Sequence, residues 1–212
     1  MIVLFTGLPG SGKTTVLATF LKYLLEETRL RVCTVDLDCV TAKLTRILTP
    51  GVEVLCDLYD VVEDVCNNVT HVVLSDRHVH VPVRLGQRRQ DSDILDLLQE
   101  LYSVLEVDLV LVDSVEPQLA SIADRRTFKI VHVVRPDIAE YYDLARQEDI
   151  IVINSVVPSI EPKLKHRKVL YLHFDPVLKI CLDLKTLPSI LLKDVTRFCK
   201  SLLSLLKSEA KT

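Results

Sequence analysis

The first fifteen residues, MIVLFTGLPGSGKTT, restrict the fold more than any other part of the chain. Gly7-Leu8-Pro9-Gly10-Ser11-Gly12-Lys13-Thr14 meets the pattern G-x-x-x-x-G-K-[ST] at every fixed position. A loop of this kind works between a buried strand and a helix. The apolar run Ile2–Phe5 precedes it, and an amphipathic run from Thr15 to Leu25 follows it. Glycines let the backbone curl its N–H groups toward phosphate oxygens, and the following helix adds the positive end of its dipole. Gly7, Pro9, Gly10, Ser11, Gly12, Lys13, Thr14 and Thr15 are therefore expected around a nucleotide's phosphates. Lys13 would reach the β- and γ-phosphates, and Thr14 would ligate Mg²⁺.

A length of 212 residues suits one well-buried α/β domain, expected to span residues 1–212. The composition, 49% hydrophobic and 26% charged, is globular, and a net charge of −3 offers no global attraction to nucleic acid or anionic lipid. No basic segment precedes a signal-like apolar core, and no apolar run reaches the roughly 18 residues of a membrane span, so a cytoplasmic protein is expected. Cysteines stand at 33, 39, 56, 66, 181 and 199, with no C-x-C or C-x-x-C pair, and read as buried free thiols.

Apolar runs alternate with helical patterns along the whole chain, which predicts parallel βαβ units in a three-layer fold: a mostly parallel central sheet flanked by helices. Strands are expected near 2–6, 31–36, 71–74, 108–113, 128–134, 150–154 and 169–173. Helices are expected near 13–27, 40–48, 58–66, 92–105, 116–123, 137–147 and 193–207, with a short one at 177–184. Ser75–Gln90 reads as an irregular excursion rich in arginine, and no repeat or linker marks a domain boundary.

Val35-Asp36-Leu37-Asp38 closes the second strand, so alternation sets Asp36 and Asp38 on one side at its carboxyl end, where open α/β sheets bind ligands. These carboxylates would hold Mg²⁺ through water or orient the water that attacks a γ-phosphate. Asp108-Leu109-Val110-Leu111-Val112-Asp113 has the form of a Walker B strand, which makes Asp113 a further candidate for the metal's hydration shell.

The order of phosphate loop, Val-Asp-Leu-Asp, Leu-Val-Leu-Val-Asp-Ser, Val131-His132-Val133-Val134-Arg135-Pro136-Asp137, Val152-Ile153-Asn154 and Phe174-Asp175-Pro176 resembles the MinD/ParA group of P-loop ATPases. The resemblance covers nearly the whole chain. It implies ATP and ADP as ligands, an ATP-dependent homodimer and hydrolysis that separates the dimer. It also implies that Asp38 places the attacking water, that Asp113 acts at the metal, and that Asn154 and the Asp175-Pro176 loop lie at the adenine. One departure stands out. Members with the deviant loop carry an early lysine where this chain has Leu8, and Arg84, Arg88 and Arg89 are candidate substitutes.

For partners, the basic run Lys163-Leu164-Lys165-His166-Arg167-Lys168 offers either a solvated turn or a contact for non-specific DNA. The last helix, apolar at Val195, Phe198, Leu202, Leu205 and Leu206, reads as docked on the sheet, with a peripheral membrane contact as the alternative. The His78-x-His80 pair has no further ligand at metal spacing. Three function classes follow: an ATPase switch in segregation or positioning that works with an adaptor protein, a P-loop kinase for a nucleotide or metabolite, and a metal-insertion ATPase. The missing cysteine pair speaks against the last, and the absent Asn-Lys-x-Asp motif speaks against a GTPase.

Overall fold

The structure, a computed structural model, describes residues 1–86, 93–115, 117–139, 142–157, 162, 164–166, 168–183, 186–187 and 191–208. Among them, eight strands form one sheet in the order β3-β4-β2-β5-β1-β6-β7-β8. These are β1 (Ile2–Thr6), β2 (Val32–Asp36), β3 (Val72–Ser75), β4 (His78–Val81), β5 (Leu109–Val115), β6 (Phe128–Val134), β7 (Ile150–Val156) and β8 (Val169–His173). Every pairing is parallel except β3 with β4.

Because side chains alternate across a strand, β1 serves two cores at once. Val3 and Phe5 pack with α1 (Lys13–Glu27), α2 (Lys43–Leu48) and α7 (Lys193–Ser208), while Ile2 and Leu4 pack with α3 (Leu58–Val62), α4 (Asp93–Val104) and α5 (Pro117–Ile122). The sheet is covered on both faces, as its apolar strands require. The apolar side of α7 (Val195, Phe198, Cys199, Leu202, Leu206) lies in the first core, so that face is already used within the chain. Among the described residues, no helix is long and apolar enough to cross a membrane.

Five local expectations are corrected. The segment after β3 is regular in part: β3 turns at Asp76-Arg77 into β4, whose buried His78 and His80 read as polar, while 82–86 carry no strand or helix and 87–90 lie outside the described residues. Thr34 on β2 makes their burial tolerable, its Oγ1 lying 2.9 Å from both His78 Nε2 and His80 Nδ1. No helix runs through the described part of 137–147. Instead Tyr142 reaches His132 Nδ1 at 2.8 Å, and Asp149 accepts the Arg146 N–H at 2.9 Å, so side-chain anchors replace the helical ladder. The helix from Leu58 stops at Val62. Beyond it Cys66 is disulfide-bonded to Cys56, so these two are not free thiols, whereas Cys33, Cys39 and Cys199 are. Finally, α2 starts at Lys43 rather than Val40, because the Val40 and Thr41 N–H groups bond to the Asp38 carboxylate instead.

Candidate functional site

The phosphate loop lies at the carboxyl end of β1, flanked by β5 and β6. Its shape leaves no room for a Cβ at two positions. At Gly7, φ is +144° and a Cβ would sit 2.2 Å from the Val133 carbonyl oxygen; at Gly12, φ is +88° and a Cβ would sit 2.0 Å from Asn154 Nδ2. The Asn154 amide donates to the Ser11 carbonyl at 3.0 Å and so ties β7 to the loop from below. Lys13 leads α1, its ammonium donating to the carbonyls of Gly7 at 3.1 Å and Leu8 at 3.3 Å.

The loop forms one wall of a cavity of about 910 Å³. Gly7, Leu8, Pro9, Gly10, Gly12, Lys13, Thr14 and Thr15 of the loop and α1 line it, together with Asp38, Val40, Thr41 and Lys43 from the segment after β2. Asn154, Ser155, His173, Phe174 and Asp175 also line it, with Pro117, Gln118 and Leu144. Ser11 is buried, as expected of a residue on the loop's inner side. Pro176 opens α6 (Pro176–Asp183), whose first turn is capped by Asp175 Oδ1 accepting the N–H of Val177 at 2.8 Å and of Leu178 at 3.2 Å.

Behind the loop, the β2–β5 register sets Asp36 beside Asp113. The two carboxylates live in different settings. Asp36 Oδ1 accepts the Asp38 N–H at 2.9 Å, and its Oδ2 accepts both the N–H and the hydroxyl of Thr45 at 2.9 Å. Asp113 is fully buried, and among the described residues neither of its oxygens has a donor at good hydrogen-bond geometry, although the Thr14 hydroxyl lies near. Burial pushes both carboxyls above their ordinary values. For Asp113 the neighbouring Asp36 charge adds to the rise, while the nearby Thr14 hydroxyl and the Lys13 charge oppose it.

A buried carboxylate with no donor costs free energy unless a cation reaches it. The Thr14 hydroxyl and the acids Asp36, Asp38 and Asp113 are hard oxygen donors, which suits Mg²⁺, so the residues present fit the metal. Asp38 is less buried than Asp36 and faces the cavity. Its Oδ1 accepts from the N–H groups of Val40 at 3.1 Å and Thr41 at 3.0 Å, and its Oδ2 from the Thr41 hydroxyl.

Of the arginines proposed to replace the missing loop lysine, Arg84 is instead paired with Asp60 and also donates to the Leu55 carbonyl at 3.4 Å. It does not line the cavity among the described residues, and Arg88 and Arg89 lie outside them. Lys163 and Arg167 of the basic run also lie outside them; of its other members, Lys168 Nζ donates to the Glu148 carbonyl at 2.7 Å and His166 Nε2 lies 2.8 Å from the Arg146 carbonyl. Thr41, Lys43, Gln118, His173 and Phe174 are cavity residues that motif spacing did not single out.

Known proteins share this architecture along its full length. MinD from the MinC:MinD complex of Aquifex aeolicus superposes with a TM-score of 0.70 at 18% identity, covering 98% of this chain and 96% of that one. Pyrococcus horikoshii MinD, solved with Mg-ADP, gives 0.69 at 17% identity over 100% of both chains. A putative plasmid partition protein of Borrelia burgdorferi bound to AMPPNP gives 0.68 at 14% identity, with 98% of each chain covered. The chain has the MinD/ParA-type P-loop fold. A family model for adenylylsulphate kinase matches residues 1–71, the stretch that carries the phosphate loop and the Asp36/Asp38 strand end. No curated protein matches.

Proposed function

We propose that residues 1–212 form a single ATPase domain, a Mg²⁺-dependent molecular switch of the MinD/ParA type whose ATP-bound form dimerises and whose hydrolysis releases the dimer. The observation that carries this reading is the convergence on one cavity of Lys13, Thr14 and Asp38, backed by the donorless carboxylate of Asp113. The likeness to division and partition ATPases along the whole chain supports the switch class.

In this reading the loop N–H groups and Lys13 bind the phosphates, and Lys13 exchanges its carbonyl partners for phosphate oxygens. Thr14, Asp36, Asp38 and Asp113 would hold Mg²⁺, which would supply charge neutralisation at the nucleotide's phosphates. Asp38, held by Val40 and Thr41, orients the attacking water. Asn154, Phe174 and the Asp175-Pro176 turn form the adenine end of the cavity. Its role would be segregation or intracellular positioning in the cytoplasm through an adaptor protein, with non-specific DNA as the candidate surface and a peripheral membrane contact disfavoured by the buried face of α7.

Light scattering in ADP, ATP and a slowly hydrolysed ATP analogue, with phosphate release measured with and without DNA, tests the reading. A dimer only with ATP or the analogue is expected. Lys13→Ala should abolish turnover, and Asp38→Ala should slow it while sparing ATP binding; full turnover in Lys13→Ala would remove the site assignment.

The second reading, a kinase for a small acceptor, is favoured by the adenylylsulphate kinase match over residues 1–71. A monomer in every nucleotide, with phosphate passing from ATP to an acceptor, would select it.

A further inference from the structure

The phosphate loop supplies one cation. Leu8 is apolar and 42% exposed at its mouth, so only Lys13 is available there to meet the charge of a triphosphate. Lys43 lines the same cavity. Among the described lining residues, Lys13 and Lys43 are the two with a positively charged side chain. Lys43 is half-buried and makes no ion pair or side-chain hydrogen bond among the described residues. Asp38, the acid nearest to it in sequence, has its oxygens engaged by Val40 and Thr41.

The backbone that carries Lys43 is held from several directions. Ala42 takes a left-handed conformation with φ 46° and donates its N–H to the Asp38 carbonyl at 2.7 Å, turning the chain into α2. Two residues past the start of that helix, Thr45 is bonded to Asp36 through both its N–H and its hydroxyl, and its Oγ1 accepts the Val83 N–H at 3.2 Å. The Nε2 of His80 lies 3.4 Å from the same Oγ1, and His80 is itself anchored by Thr34. The same carboxylate, Asp36, thus fixes both the Asp38 turn and the helix that presents Lys43.

We propose that Lys43 is the second phosphate cation of the site, binding the γ-phosphate together with Lys13 and stabilising the charge that develops during its transfer. It rests on the ATPase reading above and adds a residue to it. In hydrolysis the water oxygen forms the new bond to the γ-phosphorus. The bond from that phosphorus to the bridging oxygen breaks, its electron pair stays on ADP, and the proton shed by the water leaves with inorganic phosphate. A preorganised ammonium beside the transferring group contributes most where the negative charge is greatest.

The test compares wild type, Lys43→Gln, Lys43→Arg and Lys13→Ala for Mg-ADP affinity and for phosphate release at saturating Mg-ATP. Lys43→Gln should lower kcat by about 100-fold, the effect of removing one such donor, with Mg-ADP affinity within about threefold of wild type. Lys43→Arg, which keeps the charge, should recover at least tenfold of that loss. Wild-type turnover in Lys43→Gln overturns the role of Lys43 and leaves the ATPase reading standing. Equal loss in the Gln and Arg variants also overturns it, because charge would not be the property that matters. If wild type binds no nucleotide, or Lys13→Ala hydrolyses ATP normally, the site reading fails and the proposal fails with it.

Discussion

Acidification should weaken this protein through a histidine that burial keeps neutral, and His78→Gln isolates the effect. His78 is 3% exposed, and burial pushes its pKa from the ordinary 6.5 down to about 4. A folded value below the unfolded one means that the unfolded chain binds the proton first. Stability from this residue is therefore fully present above 6.5 and is lost as pH falls toward 4. At pH 5 the unfolded imidazole is almost wholly protonated and the folded one is not, which costs about 2 kcal/mol relative to pH 7 by proton linkage.

Asp36 and Asp113 titrate in the opposite sense, since their folded values are raised and acid relieves them. A bare pH profile would mix the two, so the informative quantity is the wild-type loss minus the loss in His78→Gln. The Gln amide retains a donor for Thr34 Oγ1 and carries no titration. The chain has no tryptophan, so urea unfolding at pH 7, 6 and 5 would be followed by circular dichroism. The two proteins should diverge by about 2 kcal/mol between pH 7 and pH 5. A divergence under about 0.5 kcal/mol would show that the folded state accepts the imidazolium, and would refute the argument from burial.

Two further outcomes follow from buried pairings. Asp149 accepts from Arg125 at 2.8 and 3.0 Å and lies 3.0 Å from His132 Nε2; burial alone would raise its carboxyl, but these bonds hold it at about 2. Asp149→Asn should cost roughly 3 kcal/mol in urea unfolding at pH 7, because it leaves the largely buried Arg125 without its partner charge; a cost below 1 kcal/mol would mean that the pair is solvated in practice. The Cys56–Cys66 bridge closes a short loop around α3, at a sequence separation of 10, and reduction should lower stability by about 3 kcal/mol from loop entropy. Identical urea midpoints with and without reductant would contradict that.

Much of the layout was readable in advance because it rests on local chemistry. The phosphate loop, the strand-end acids Asp36, Asp38 and Asp113, and the alternation of apolar strands with helices are short-range patterns, and the parallel three-layer sheet follows from them. Where the reading failed, a partner distant in sequence had replaced a local preference. The alternation of His78-Val79-His80-Val81 was present but looked polar, since partners on other elements, Thr34 on β2 and Thr45 on α2, make those histidines compatible with burial. The Asp137–Gln147 helix gave way to anchors on His132 and Asp149.

The site divides along the same line. The sequence alone determined that Lys13 and Thr14 follow a glycine loop between a strand and a helix, because the loop's own glycines and that position dictate where its N–H groups point. Only the tertiary structure decided which side chains complete the cavity. Among the described residues it paired Arg84 with Asp60, left Asp113 without a well-placed donor, and brought Lys43 into the lining of the cavity. The physical reason is that the loop is built from neighbours in sequence, while the part of the lining from Asp38 to Lys43 is set by how β2, α2 and β4 lock through Asp36, Thr45 and His80. Bonds of that kind leave no periodic trace in the chain.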